Sequence, residues 1–259
     1  MNLLDPGKNP GENTPFLVFL MAVIAAVDEY APLLRLSVAS AGNDHRLGGN
    51  EAPPAIISIF VGDELSEVLK GVEEGNAYHS KGKVQMGMGA EVLPHFTKDN
   101  TDRNRTSPFA FTGNKFEFRM PGSAVSVANA NIVLNTAVAE EITKIYAKLE
   151  GVEKDKLNDK IAEVLKETLV AHKRVLFNGN GYTDEWVAEA AKRGLPNLKS
   201  LPDALPYFKE KESVELFTKH GIFTKEEIDS RYEILLENYS KSIHIESLTL
   251  QEMAKKDQS

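Results

Sequence analysis

The sequence has no cysteine and a single tryptophan among its 259 residues. Without cysteine, the chain can form neither disulfide bonds nor thiolate metal sites. Because proteins of reducing compartments need no disulfides, we expect a cytoplasmic location. Any metal site would be rich in oxygen ligands, which are the ligands preferred by Mg²⁺ and Mn²⁺.

An excess of positive charge and a long apolar run are also missing. The net charge is -8, which argues against nucleic acid as a partner because phosphate contacts need a basic surface. The longest apolar run, Phe16–Val27, is about half of the roughly 20 residues that a membrane span requires. It also lacks the flanking features of a signal peptide. We therefore predict a soluble globular protein with a buried helix at this run and no membrane partner.

Charged and apolar residues alternate along Lys115–Met120, where the charged residues are Lys115, Glu117 and Arg119. A period of two predicts an extended strand with all three charges on one face. A carboxylate held between two cations suits a divalent metal surrounded by anionic oxygens. The alternative is the solvent face of an ordinary antiparallel sheet, where such charge pairs are common.

The remaining pattern predicts an α+β fold, with antiparallel strands and site motifs in residues 1–122 and a mainly helical region in 123–259. The predicted strands are Ala55–Val61, Thr106–Phe111 and Lys115–Met120, the last two joined by a tight turn. Gly42–Asn50 is predicted to be a loop because it is rich in glycine and asparagine. Leu33–Ala41 fits either a helix or a strand.

Helical periodicity and capping residues predict most of the other elements. Thr14 is expected to cap the first helix, with Pro15 at its first position. Thr224 and the acidic Glu227 form a capping box at the start of the last one. The predicted helices are Thr14–Tyr30, Asp63–Val72, Ala124–Leu149, Lys154–Arg174, Asp184–Arg193 and a helix from Thr224 towards Ser240.

Three clusters with the residues needed for phosphoryl chemistry follow one another: His45–Pro53, Asp102–Pro108 and Lys115–Pro121. Arginines beside turning backbone suit bidentate binding of carboxylate and phosphate groups. Two glycines before Glu51 would place that carboxylate on a mobile loop. A mobile acid, several arginines and a fixed acid are what ATP-dependent activation of a carboxylate requires.

In this order the clusters resemble the Arg-Leu…Glu-Ala-Pro flap, the Asn-Arg-Ser strand and the Glu-x-Arg-x-Pro strand of glutamine synthetase. Phe177–Tyr182, followed by Asp184-Glu185-Trp186, is similar to a segment of the large type III branch of that family. The resemblance covers essentially the whole chain and implies the later part of the catalytic domain. The family's small N-terminal β-grasp domain and most of its metal ligands would precede Met1, so the resemblance implies a fragment.

The resemblance also implies roles for the residues of the second and third clusters. Glu117 would be a ligand of the metal at the nucleotide phosphates, and Lys115 would lie near the nucleotide. Arg119 would contact the substrate or the transferred phosphoryl group. Arg105 would bind nucleotide and stabilise the γ-phosphoryl group during transfer.

The resemblance also implies roles for two residues of the first cluster. Arg46 would hold the α-carboxylate of glutamate, and Glu51 would be the flap acid that helps to deprotonate ammonium. The spacing from Arg46 to Glu51 is one residue shorter than in type I enzymes. Ala110 replaces an arginine that type I enzymes carry after the Asn-Arg pair, and the insertion 62–101 has no assigned role.

The activity implied by the resemblance is glutamate–ammonia ligation with ATP and Mg²⁺ or Mn²⁺, through γ-glutamyl phosphate, in a homo-oligomer. The alternatives are another γ-glutamyl carboxylate–amine ligase of the same fold and a non-catalytic helical scaffold or assembly subunit. A single carboxylate cannot build a two-metal site, so we predict that this chain alone is inactive. We also expect it to expose apolar surface at Phe16–Val27 and to aggregate.

Overall fold

The computed structural model describes residues 2–49, 51–75, 85–86, 96–97 and 106–257. Most of these residues are helical. No helix within these ranges combines the length and the apolarity that crossing a membrane would require. The helices are α1 Thr14–Glu29, α2 Ala31–Leu36, α3 Ala41–Arg46, α4 Gly62–Glu74, α5 Val127–Leu149, α6 Leu157–His172, α7 Asp184–Lys192, α8 Leu201–Ala204, α9 Lys211–Lys219 and α10 Lys225–Asp257.

The strands are short and form two small sheets. They are β1 Ile59–Phe60, β2 Gln85–Met86, β3 Phe96–Thr97, β4 Phe109–Phe111 and β5 Phe116–Phe118. One sheet has the order β1-β4-β5, and β2 pairs with β3 in the other. The β4–β5 pair is antiparallel as predicted, but β1 and β4 run parallel, so the purely antiparallel expectation is wrong. The chain between β1 and β4 contains α4 and is long enough for the crossover that a parallel pair needs.

The chain forms two compact units, each assembled from three stretches of sequence. The first unit consists of Met1–Glu29, Ser58–Arg119 and Glu141–Asn180. The second unit consists of Tyr30–Ile57, Met120–Glu140 and Gly181–Ser259.

Helix α1 is the central element of the first unit and packs against α6. Its residues Leu20, Met21 and Ile24 have no exposed surface, as the apolar run predicts. The expectation that Phe16–Val27 would be left bare is therefore wrong, because this chain covers the helix itself. The N-cap also differs from the prediction, since the side chain of Asn13 accepts the N–H of Phe16 at 3.2 Å.

Aromatic rings fill the apolar side of the β4–β5 hairpin. Phe109 stacks on Phe116 with ring centroids 5.1 Å apart, and its centroid lies 5.9 Å from that of Phe118. Phe111 contacts Phe116 and also Phe16 of α1. These contacts fix the hairpin, and so its opposite, charged face, to the core of the first unit.

The second unit is built around α2, α8, α9 and the start of α10. The predicted capping box of α10 is confirmed, because Thr224 accepts the N–H of Glu227 and Glu227 accepts the N–H of Thr224. The helix continues beyond the predicted Ser240 as far as Asp257. The prediction of a loop at Gly42–Asn50 is wrong over its first part, where α3 forms.

Candidate functional site

The β4–β5 hairpin presents the three predicted charges on one face. Thr112 donates its N–H to the carbonyl of Lys115 at 2.9 Å, and Gly113 has the positive φ of 94° that this turn needs. Nζ of Lys115 lies 3.5 Å from Oε1 of Glu117, and Nη2 of Arg119 lies 3.2 Å from Oε2. The prediction that these three side chains share a face is confirmed.

Glu117 is held in its charged form by these neighbours. Burial alone would raise its pKa, but the hydrogen bond and charge of Arg119, and then those of Lys115, outweigh burial and lower the pKa below its ordinary value. The Thr112 hydroxyl adds a contact of 3.4 Å to Oε1. The site is thus a fixed anion between two cations, which suits phosphate oxygens and a hard metal ion.

Ala110 lies beside Glu117 on the charged face. The strand register pairs it with Glu117 on β5 and with Phe60 on β1, and paired residues share a face. Ala110 is completely buried. The replacement of the type I arginine by alanine therefore leaves β4, over Phe109–Phe111, without a cation on this face.

Arg46 lies at the end of α3, where main-chain and side-chain oxygens hold its guanidinium. Ser40 caps the helix by accepting the N–H of Asn43. Nε of Arg46 donates to Oδ1 of Asn43 at 2.9 Å, and Nη2 donates to the carbonyl of Met120 at 2.6 Å. Part of the guanidinium that was predicted to bind a substrate carboxylate is therefore used to fix the backbone.

Glu51 follows a tight turn directly after α3 and is exposed. The N–H of Gly48 donates to the carbonyls of Ala52 and Pro53, and Gly48 has a φ of 77°. The Tyr182 hydroxyl donates to the carbonyl of Glu51 at 3.4 Å. Tyr182 belongs to the segment that resembles type III chains, and no pattern in the sequence predicts its contact with the Glu51 loop.

The same segment has a structural role in the first unit. The N–H of Phe177 donates to the carbonyl of Ile59 at 2.9 Å, which extends the pairing of β1. Oδ1 of Asn178 accepts the N–H of Val61 at 3.0 Å, at the start of α4. Its amide donates to the Ser66 hydroxyl at 2.7 Å. The Phe177–Asn178 pair thus anchors the strand next to β4.

Arg105 lies outside the described residues. The other predicted site residues are divided between the units: the first unit holds Lys115, Glu117 and Arg119, and the second holds Arg46 and Glu51. The convergence of these two groups on one phosphoryl-transfer centre stays a prediction.

A second group of possible metal ligands, which sequence analysis missed, lies in the first unit. Glu29, Glu141 and His172 each place a ligand atom within 4.8 Å of the others. Lys144 donates to Glu29 at 2.6 Å and to Glu141 at 2.7 Å, so an ammonium group already bridges the two carboxylates. His172 contacts Asp28 at 3.0 Å through Nδ1. The residues come from three helices, and no spacing in the sequence indicates their proximity.

Residues 160–258 match the glutamine synthetase C-terminal domain. The chain is 72% identical over 258 residues to a glutamine synthetase of Butyrivibrio fibrisolvens, covering 99% of this chain and 36% of that protein. It is 47% identical to a type-3 glutamine synthetase of Dictyostelium discoideum, covering 97% of this chain and 34% of the relative. A glutamine synthetase of Bacteroides fragilis is 42% identical, with coverage of 98% and 36%.

These relatives are all named glutamine synthetases, which indicates a ligase family. Along almost its whole length the chain is similar to glutamine synthetases, and one of these relatives is a type-3 member. It spans about a third of the length of the curated relatives that it matches.

Proposed function

We propose that this chain is part of a glutamate–ammonia ligase, which makes glutamine from glutamate, ammonium and ATP. Residues 1–122 would supply the strands, flap and site motifs, and 123–259 the helical C-terminal region. The observation that supports this best is Glu117, whose carboxylate is held by Arg119 and Lys115 on a hairpin anchored in the core. The similarity to glutamine synthetases along the whole chain supports the same conclusion.

The reaction would proceed in two steps. An oxygen of the glutamate γ-carboxylate attacks the γ-phosphorus of ATP, the bond to the β-phosphate oxygen breaks, and ADP leaves with that electron pair. Ammonia then attacks the carbonyl carbon of γ-glutamyl phosphate, and inorganic phosphate leaves. Glu51 would take a proton from ammonium before this attack, and the exposed position of its loop suits such an acceptor.

The cations would act on phosphate oxygens. Arg119 and Arg105 would stabilise the charge of the transferred group, and Lys115 would lie near the nucleotide. Arg46 would orient glutamate with the part of its guanidinium that is not bonded to Asn43 and Met120. Catalysis of phosphoryl transfer in such a site rests mainly on positioning and on electrostatic stabilisation.

Glu117 fits one position in the coordination shell of Mg²⁺ or Mn²⁺. Its Oε2 is held by Arg119, whereas Oε1 faces the largely exposed Lys115 and offers a hard oxygen ligand. A bound metal would supply charge neutralisation between the nucleotide and the acceptor carboxylate. The cytoplasmic location and the homo-oligomeric state belong to the same proposal.

The test compares two substitutions in a longer protein that contains this chain. Glu117→Ala should weaken metal-dependent nucleotide binding at least tenfold, whereas Glu51→Ala should spare nucleotide binding and depress glutamine formation. Glu237→Ala, at an exposed acid on α10, is the matched control and should change neither. Identical defects in the two site variants would contradict their separate roles.

The 259-residue chain alone should make no measurable glutamine in a coupled assay, because it supplies too few metal ligands. ATP- and ammonium-dependent turnover by the purified chain would overturn this expectation.

One observation favours an assembly role as a second candidate function. The last part of α10 exposes several large apolar side chains, namely Ile245, Leu248, Leu250 and Met253. A helix that leaves such residues in water is typical of an interaction surface. Light scattering on the chain and on a Leu250→Glu/Met253→Glu variant tests this role. An assembly that the double substitution leaves intact would argue against it.

A further inference from the structure

The second unit contains a cavity of about 560 Å³ that the proposed ligase chemistry does not use. Its floor consists of buried apolar side chains from four helical segments: Leu33, Leu36, Val133, Phe208 and Phe217. Sites for small molecules usually measure about 300–1,000 Å³ and have mainly apolar and aromatic walls with a few polar groups. This cavity has both the size and the lining of such a site.

The mouth of the cavity has a different character from the floor. Arg231 of α10 lies there, with its guanidinium carbon 4.3 Å from the centroid of the Phe223 ring. Ile234, one turn away, is 50% exposed, and Ser126 and Asn129 contribute polar side chains at the start of α5. A ligand would therefore meet apolar surface inside and, outside, the cation of Arg231 with amide and hydroxyl groups and the carboxylate of Glu227.

The cation at the mouth is not engaged in an ion pair by the described residues around it. Glu227 precedes Arg231 by one turn and also lines the cavity, but its carboxylate accepts the N–H of Thr224 at 2.8 Å. Among the residues that the structure describes, no carboxylate forms an ion pair with Arg231. The face of the Phe223 ring holds the guanidinium in place and leaves its edge free to donate hydrogen bonds.

We propose that this cavity binds a small amphipathic anion, an aromatic or long-chain carboxylate or sulfonate. The apolar body would lie against Phe208 and Phe217, and the anionic head would bind Arg231. Charge complementarity selects this class: the apolar floor disfavours a ligand that is charged at both ends, and a guanidinium without an ion-pair partner among the described residues favours a single anionic head. The site is independent of the ligase activity and would exist even if that activity were absent.

The first experiment titrates the 259-residue chain with 1-anilinonaphthalene-8-sulfonate, an aromatic anion whose fluorescence rises in apolar surroundings. We expect saturable binding of one molecule per chain, competition by decanoate and much weaker competition by decanol. Arg231→Gln should weaken binding of the sulfonate about tenfold and leave the neutral N-phenyl-1-naphthylamine unaffected, because only the head contact is lost. Lys225→Gln removes a cation of the same helix outside the cavity and should change neither affinity.

The second experiment fills the mouth. Asn129→Trp places a large ring at an exposed cavity position, and Asn131→Trp places the same ring on the same helix outside the cavity. We expect the first substitution to abolish binding of both probes and the second to preserve it. Non-saturable fluorescence, or equal binding in both tryptophan variants, would overturn the proposal. A dimer that only Asn129→Trp dissociates would also overturn it, in favour of a second copy of the chain as the occupant.

Discussion

Arg119 donates two hydrogen bonds, from Nε and from Nη2, to the same carboxylate oxygen of Glu117, each at 3.2 Å. The two residues are separated by one position on β5, so the strand itself sets their distance. The other oxygen, Oε1, faces Lys115 and the Thr112 hydroxyl. Each carboxylate oxygen thus has its own cation. Because Lys115 is 62% exposed and Arg119 only 15%, Oε1 is the oxygen that a ligand can reach, by displacing Lys115.

The unequal contacts predict unequal effects on the titration of Glu117. Arg119→Gln should raise the pKa of this carboxyl more than Lys115→Gln does, because Arg119 is the strongest of the influences that lower it. The pKa is lowered on folding, so the pair stabilises the fold above the ordinary pKa near 4.5, and this stabilisation is lost as pH falls through the lower, folded value. The gain is at most about 1 kcal/mol because the carboxylate is partly exposed.

Carbon-detected NMR of the Glu117 side chain across pH 2–7 measures the pKa of this carboxyl in each variant. Lys70→Gln, which removes an exposed cation of α4, serves as the control. An unchanged pKa in Arg119→Gln would show that the contact between Arg119 and Glu117 does not persist in solution.

The hairpin could be predicted from the sequence because local rules agree there. The period of two and the glycine in the turn both indicate a strand pair, and the aromatic residues Phe109, Phe116 and Phe118 pack as their register requires. The first helix followed from its continuous apolar run. Local pattern and tertiary structure point the same way in both elements.

Helix α3 could not be predicted, because its stabilising contacts come from distant residues. Its composition, rich in glycine and asparagine, favours a loop. The buried amide of Asn43 nevertheless donates to the carbonyls of Val38 and Met120, and the latter lies 77 positions away. For the same reason, the hydrogen bond from Arg46 to Met120 was invisible in the sequence. The parallel pairing of β1 with β4 likewise depends on the crossover between the two strands and not on their local sequence.

The buried ion pair of Arg35 and Asp44 should be a principal support of α3. Arg35 is 1% exposed, Asp44 lies 2.5 Å from its Nη2, and the other carboxylate oxygen accepts the N–H of Leu201 at 2.7 Å. Nη1 of Arg35 has no hydrogen-bond partner among the described residues. Asp44→Ala should therefore lower the free energy of unfolding by about 3–5 kcal/mol, because it leaves a buried cation uncompensated.

Urea unfolding monitored by circular dichroism measures the free energy of unfolding that Asp44→Ala loses. Glu237→Ala breaks an exposed pair with Lys241 and should cost less than about 1 kcal/mol. Adding Arg35→Met to Asp44→Ala should recover part of the stability, since an apolar side chain needs no partner. A double variant less stable than Asp44→Ala would contradict this account of the pair.

Lys144 should be essential to the fold of the first unit at neutral pH. Burial alone would lower its pKa, but the hydrogen bonds to Glu141 and Glu29 outweigh burial and raise it. Burial raises the pKa of Glu141 despite this cation. Lys144→Met would leave both acids without the ammonium, and we expect a loss of about 2–4 kcal/mol.

The free energy of unfolding that Lys144→Met loses should grow with pH. An acid whose pKa is raised on folding binds more protons in the folded state, so the free energy of unfolding falls as pH rises through the folded pKa. Urea unfolding of Lys144→Met at pH 5 and pH 8 tests this pH dependence. Lys148 lies on α5 like Lys144 and forms a half-exposed ion pair with Glu167 of α6. Lys148→Met should therefore show a small loss that is equal at both pH values. Equal losses for Lys144→Met at the two pH values would contradict the role of Glu141.

Gly49 should be needed for the position of the Glu51 loop. A Cβ at Gly49 would lie 2.7 Å from the carbonyl oxygen of His45, and that oxygen belongs to the backbone of α3 and cannot move away cheaply. Gly49→Ala should therefore cost about 1–3 kcal/mol of stability and shift the loop that presents Glu51. Gly42 supplies the matched control, because a Cβ there meets nothing within 4 Å.

Gly42→Ala lies within α3 and should be neutral or stabilise the chain by up to about 1 kcal/mol, since alanine loses less backbone entropy than glycine in a helix. In a longer protein with ligase activity, Gly49→Ala should depress glutamine formation as Glu51→Ala does, while nucleotide binding persists. Glutamine formation and nucleotide binding report on different parts of the site, because Glu117 and its cations lie on another segment than the Glu51 loop. Wild-type turnover in Gly49→Ala, together with the expected loss of stability, would show that the loop tolerates displacement and that Glu51 does not act from this conformation.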